Sequence, residues 1–198
     1  ELPPGKLASG AKDHPLVQLV LDAETRGTVT PEQYAQALRV LQDWKAENFD
    51  PDRLVRLFKQ AGARYFTPCA VHHDNFDLWD SQHHRWNSVN MGPKKDITGL
   101  WREAALNHGL RFGVTTHLAR SYSWFNVNKG ADESGPYQGV PYDGSDPAYR
   151  DFYFEPHEDT NRKHPLNPPE SWRREWAMRM KDLIDNYHPD LLYFDGAV

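Results

Sequence analysis

The sequence predicts an α/β fold built on a parallel sheet, and two patterns carry that expectation. Helical apolar stripes alternate three times with short strand-like runs between residues 50 and 194, and parallel neighbours need a crossover of this kind. The last run, Leu191-Leu192-Tyr193-Phe194-Asp195-Gly196, sets a carboxylate at a strand tip. Side chains alternate along a strand, so Leu191, Tyr193 and Asp195 share one face and Leu192 and Phe194 the other. With the second face on helices, Asp195 points inward at the carboxyl end of its strand, where α/β barrels keep their catalytic groups. The hexapeptide alone reads equally as a turn cap beside Gly196.

The first unit opens at Asp50-Pro51, an N-cap followed by proline at the first helical position, and carries Leu54, Leu57, Phe58 and Ala61 at i, i+3, i+4, i+7. Gly62 ends it, and residues 64–71 form a strand in which Pro68, unable to donate to a ladder, forces an irregularity. The second unit places Ile97, Leu100, Trp101, Ala104 and Ala105 on one stripe, closes at His108-Gly109, and continues into a strand over 110–117. There Phe112 and Val114 face the helices while Gly113, Thr115 and His117 face inward, so His117 occupies a strand tip as Asp195 does. The third helix, 170–187, sets Trp172, Trp176, Met180, Leu183, Ile184 and Tyr187 in register and stops at Pro189.

Upstream, a helix from 31 to about 45 is expected, with Thr30 as its cap and Tyr34, Ala37, Leu38 and Leu41 on one face; the apolar run 16–21 has no assigned state. A doubly wound sheet and a barrel both remain open. No Gly-x-Gly-x-x-Gly or Walker-type loop follows a strand, which weakens a nucleotide-binding reading. Function falls instead to two long loops, 72–95 and 118–169, the second far beyond the usual connection of about 2–6 residues. With three strands, at most four, the chain holds only part of an eight-stranded barrel, which takes about 250 residues.

The chain has 198 residues, 38% of them hydrophobic, which suits one globular domain with a sizeable core. A net charge of -5 offers no basic stripe, so nucleic acid is not an expected partner. No apolar run approaches the roughly 20 residues of a membrane helix, so no membrane partner is expected either. The single cysteine, Cys69, lies in an apolar run and reads as a buried inert thiol. Glu1-Leu2-Pro3-Pro4-Gly5 lacks a start methionine and the charged-then-apolar pattern of a secretion signal, so export is not legible. Of the seven tryptophans, Trp101, Trp172 and Trp176 fall at helical spacing and read as core. Trp79, Trp86 and Trp124 follow strands, where an aromatic face can stack on a sugar.

After the first strand come His72-His73-Asp74-Asn75-Phe76, then Trp79-Asp80-Ser81, then Trp86-Asn87-Ser88-Val89-Asn90-Met91-Gly92-Pro93-Lys94-Lys95-Asp96-Ile97. This stretch resembles the hallmark region of the α-L-fucosidases of glycoside hydrolase family 29. There a strand ends in His-His-Asp-Gly-Phe, and an Asn-Ser-Val-Asn-x-Gly-Pro-Lys-x-Asp-Ile run leads into the next helix. Phe194-Asp195-Gly196 is similar to that family's nucleophile strand, and the resemblance covers about residues 30–198.

The resemblance implies a partial (β/α)8 TIM barrel, with 1–198 part of a single catalytic domain and 1–29 an N-terminal segment of unassigned role. It implies a retaining exo-glycosidase that releases α-L-fucose from fucosylated oligosaccharides or glycoconjugates, without cofactor or metal, in an extracellular or periplasmic setting. Asp195 is then the nucleophile, and His72 and His73 hold fucose hydroxyls, a task suited to a ring that donates from one nitrogen and accepts at the other. Trp79 matches an aromatic position after the histidine pair. The acid/base carboxyl, which must sit about 5–5.5 Å from the nucleophile, comes later in the family's chain and is expected beyond Val198. The 198-residue piece alone is thus expected to be inactive, with open strand edges that promote self-association.

Three departures stand out. Asn75 replaces the motif's glycine, a mild change because Asn tolerates left-handed backbone. Val114-Thr115-Thr116-His117 stands where many members carry a Tyr-Tyr pair, which makes His117 a candidate substitute in sugar contact. The family's early His-Trp-Gly strand is not found upstream of Thr30. A plain structural α/β domain leaves the His-His-Asp and Asn-Ser-Val-Asn motifs unexplained, and two functional readings compete with the glycosidase. One is a carbohydrate-binding barrel without catalysis, against which the retained Asp195 argues. The other is a metal-dependent hydrolase using His72, His73, Asp74, His83, His84, His117 and Asp195. Its spacing is poor, because adjacent histidines on a strand point to opposite faces and no His-x-His or His-Glu-x-x-His occurs. His83 and His84 read as a solvated turn.

Overall fold

The computed structural model describes residues 41–135, 138–161 and 164–195. The expected helix from 31 to about 45 and the apolar run 16–21 lie largely outside these residues, although 41–43 are helical.

Among the described residues, three long helices alternate with the strands as the apolar periodicity requires. Helix α1, Pro51–Gln60, is capped by Asp50, whose carboxylate accepts from Arg53 N at 3.0 Å. Strand β1, Tyr65–Phe66, and strand β2, Cys69–Val71, together occupy the run expected as one strand. The break falls at Thr67-Pro68, where proline has no N–H, although the Pro68 carbonyl still accepts from Thr115 N at 2.8 Å. Helix α2, Ile97–Asn107, is capped by Asp96 and leads into strand β3, Arg111–Thr116. Helix α3, Glu170–Tyr187, precedes strand β4, Leu191–Phe194.

Every ladder is parallel. Strand β3 lies in the middle, with β1 and β2 on one side and β4 on the other in the register Gly113↔Leu191 to Thr116↔Phe194. Gly113 is required there, because a Cβ would stand 2.9 Å from Thr67 Oγ1 and 3.0 Å from the Leu191 carbonyl oxygen. All three helices cover the same face. Val55, Ala104, Ala105, Met180, Leu183 and Tyr187 pack with Val71, Phe112 and Val114 into one core, joined at its edge by Leu192 and Phe194. The other face is open: Tyr65, Leu191 and Tyr193 are at least half exposed or close to it. The α1 stripe sits differently from the periodicity. Val55 is its buried residue and Phe58 stacks on Phe66, while Leu54 and Leu57 face outward.

The two long loops are folded. In 118–169, single turns of helix lie at Leu118–Arg120, Ser121–Trp124, Phe125–Lys129, Asp143–Ser145, Pro147–Tyr149 and Arg150–Tyr153. Phe125, Phe152 and Tyr153 from this loop meet Phe76 and Trp86 from 72–95 in a second apolar cluster. Buried Arg179 from α3 fastens that junction, donating to both carboxylate oxygens of Asp77 and, at 2.7 Å, to Asn75 Oδ1. Among the described residues no helix is long and apolar enough to cross a membrane.

Candidate active site

The carboxyl ends of β2, β3 and β4 converge on four side chains. The chain leaves β2 at Val71, so His72 and His73 are no longer alternating strand residues, and their ring centroids lie 4.3 Å apart. This corrects the premise that adjacent histidines must face opposite ways: it holds within a ladder and fails one residue past it. His117 follows β3. Its N–H donates to the Val71 carbonyl at 2.9 Å, and its ring stacks on His72 at 4.4 Å. Asp195 follows β4 and is held by a further ladder bond, its N–H donating to the Thr116 carbonyl at 3.0 Å.

These backbone anchors bring the side chains into register. His117 Nδ1 lies 3.1 Å from Asp195 Oδ2, and His73 Nδ1 lies 2.7 Å from the His117 carbonyl oxygen, to which only a protonated nitrogen can donate. His73 is buried, His117 half-buried, and the Asp195 side chain about half exposed toward the open face. Burial holds His73 below the ordinary histidine value, against the pull of its bond to the His117 carbonyl. Burial and then the neighbouring His72 hold His117 down as well, with Asp195 pulling the other way. Both rings are therefore neutral at pH 7, each able to donate from one nitrogen and accept at the other. The arrangement offers an exposed carboxylate beside imidazoles matched to hydroxyl groups.

Not every expected site residue is here. Trp79 is fully buried in the main core, and its indole N–H donates to Asp182 Oδ2 at 3.0 Å. A ring with no exposed surface cannot stack on a sugar, so Trp79 is a core residue. Trp86 is likewise buried, whereas Trp124 is 43% exposed with its ring 5.1 Å from His73. Trp124 is thus the aromatic of the three that reaches the site. His83 is exposed as a turn residue should be, but His84 is buried, parallel to Phe152, with Nδ1 3.7 Å from Asp77 Oδ2. The solvated-turn reading fails for His84 because Asn87 Nδ2 donates to the His84 and Ser81 carbonyls and folds the turn inward. Cys69 is half-buried rather than buried as expected; partial burial still raises its pKa, and the thiol donates to the Val71 carbonyl.

Sequence reasoning missed Asp77 and Arg179, which hold the site's loop to α3. The available signal was an arginine set between Trp176 and Met180 on the apolar stripe of a helix. Burial pushes the Asp77 carboxyl up to about 6, while Arg179 opposes the rise.

Parallel strands covered by helices on one face, with a carboxylate and imidazoles gathered at the strands' carboxyl ends, define an α/β protein of the type that keeps its functional groups at that end of the sheet. The alpha-L-fucosidase family model matches residues 24–198, and the chain belongs to that family. It is 35% identical over 86 residues to a putative alpha-L-fucosidase of Caenorhabditis elegans, covering 43% of this chain and 17% of that one. It is 27% identical over 153 residues to plasma alpha-L-fucosidase of Homo sapiens, covering 76% of this chain and 26% of that one. The structure of Thermotoga maritima alpha-fucosidase in complex with fucose matches with a TM-score of 0.55 at 28% identity, over 93% of this chain and 36% of that chain. The chain therefore spans about a quarter or less of these curated relatives.

Proposed function

We propose that the protein containing this chain is a retaining exo-glycoside hydrolase that releases α-L-fucose from fucosylated oligosaccharides or glycoconjugates. Residues 1–198 then form an arc of a (β/α)8 barrel within a single catalytic domain. Sequential parallel strands with the three described long helices on one face support the barrel reading, since a doubly wound sheet carries helices on both faces.

The observation that carries the activity is the placement of Asp195 beside His117 at the strand tips, next to the His72–His73 pair. His117 Nδ1 lies against Oδ2 and leaves Oδ1 for attack. In the first displacement Oδ1 forms a bond to the anomeric carbon while the bond to the leaving oxygen breaks, and the acid carboxyl protonates that oxygen. In the second, the same carboxyl takes a proton from water, the water oxygen bonds to the anomeric carbon, and the Asp195 ester bond breaks. That acid/base carboxyl is proposed to come from the full-length protein outside residues 1–198. His72 and His73 fix the sugar hydroxyls, so that binding energy orients the anomeric carbon over Asp195.

The test is release of 4-nitrophenol from an aryl α-L-fucoside by the full-length protein, with Asp195→Ala as control. Release that is lost in the variant is expected. A folded full-length protein that releases none would leave a carbohydrate-binding barrel as the better reading. Release unchanged by Asp195→Ala would remove the nucleophile assignment.

A further inference from the structure

We propose that His72, His73 and His117 form a binding site for a zinc-class divalent cation, one that excludes the sugar when filled. One nitrogen from each of the three rings lies within 4.8 Å of the others. Zinc takes imidazole nitrogens at about 2.0–2.1 Å, which sets ligand atoms roughly 3.4 Å apart in a tetrahedral site. The widest pair thus has to close by about 1.4 Å, a movement within reach of χ rotation in the exposed His72 side chain.

Proximity is one half of the case, and the other half is the partner set behind the rings. Metal-bound histidines donate their second N–H to a carboxylate or a backbone carbonyl, which fixes the tautomer and aims the free lone pair at the metal. The carbonyl form is present behind His73, and a carboxylate stands beside His117. His73 Nδ1 is hydrogen-bonded to the His117 carbonyl, and His117 Nδ1 lies 3.1 Å from the Asp195 carboxylate as a close charge contact. His73 therefore keeps Nε2 as an acceptor, and the Asp195 charge beside Nδ1 favours the same tautomer in His117. Asp195 adds a negative charge beside the cluster, and the fourth position of a three-histidine site stays open to water.

The cation is not assigned a part in hydrolysis. It occupies the nitrogens that the proposed function gives to sugar hydroxyls, so the competitive element rests on that reading, whereas cation binding itself does not.

The experiment is equilibrium dialysis of the metal-free full-length protein against Zn2+, with and without L-fucose. One equivalent is expected to bind, with apparent affinity lowered by fucose. His117→Gln and His73→Gln are expected to abolish tight binding, and Asp195→Asn, which removes only the carboxylate behind His117, to weaken it roughly 10–100-fold. Native circular dichroism of each variant separates ligand loss from misfolding. Co2+ in place of Zn2+ is expected to give the visible absorption of a tetrahedral site. No stoichiometric binding, or affinity unchanged in a natively folded His117→Gln protein, overturns the site; fucose that binds without displacing zinc overturns the shared location. Zinc binding by a protein without fucosidase activity would leave the cation site standing and remove the hydrolase reading. Activity without zinc binding would do the reverse.

Discussion

His117 Nδ1 and Asp195 Oδ2 stand 3.1 Å apart although 78 residues separate them, because β3 and β4 are parallel neighbours in a register that ends at Thr116↔Phe194. The pair follows from the ladder, each residue being the first beyond its strand. The two roles predict different losses in the full-length protein. Asp195→Ala should lower kcat/KM roughly 10⁴-fold or more, with turnover partly restored by azide acting as an external nucleophile. His117→Ala removes the imidazole that stands against the nucleophilic carboxylate and should cost kcat about 10–150-fold, with no rescue by azide. Equal losses and equal rescue in the two variants would show that the residues do not divide the work this way.

Trp79 and Trp124 should separate stability from binding. Trp79→Ala empties a fully buried indole site and leaves Asp182 short of a donor, so it should cost about 3–5 kcal/mol in urea unfolding. Trp124→Ala removes an exposed ring beside His73 and should leave stability nearly unchanged while raising KM roughly 3–10-fold. Unchanged KM in Trp124→Ala would exclude that ring from sugar contact.

Asn75 occupies the left-handed region at φ 59°, which accounts for glycine at this position in the family motif. Its side chain does what glycine cannot. Nδ2 donates to the Phe152 carbonyl at 2.8 Å, and Oδ1 accepts from Arg179 at 2.7 Å, tying together the two loops and α3. Asn75→Gly should preserve the backbone but cost about 1–3 kcal/mol through the unpaired buried groups. Asn75→Ala should cost about 1–2 kcal/mol more because it adds left-handed strain. An Asn75→Gly protein as stable as the parent would show that the tie contributes nothing.

Legibility followed the range of the forces involved. Helix α3 was readable to its ends because a long apolar stripe and Pro189 are local signals, and the faces of β3 and β4 followed from alternation alone. The single helical turns of 118–169 were not readable, since one turn is too short to show a period. Leu54 and Leu57 lay on the expected stripe of α1 yet face outward, because which edge of an amphipathic helix docks is decided by its neighbours. Trp79 failed for a similar reason: its burial depends on Asp182, 103 residues away. The His72–His73 pair was recognisable as a motif, while its geometry depended on the strand ending at Val71, a boundary within the error of any pattern reading.

His84 predicts a stability that depends on pH, with a sign fixed by burial. Burial, and then nearby Arg179, push its pKa from 6.5 down to about 2, so the folded protein keeps it neutral where the unfolded chain protonates it. Between those values the unfolded state binds more protons, and stability falls as pH drops, by up to about 1.4 kcal/mol per pH unit. Asp77 acts in the opposite direction. Its folded value is raised from 3.8 to about 6, so the folded state takes the proton first and gains stability as pH falls through that range. The acid loss from His84 is therefore unopposed only between about pH 6.5 and 6, and partly offset below. His84→Leu removes the loss and leaves the offset. Between pH 7 and pH 5, the unfolding free energy of the variant should move about 2 kcal/mol in its favour relative to the parent. Urea titrations of both proteins at the two pH values measure that difference. A difference independent of pH would mean that His84 is solvated and titrates freely in the folded protein.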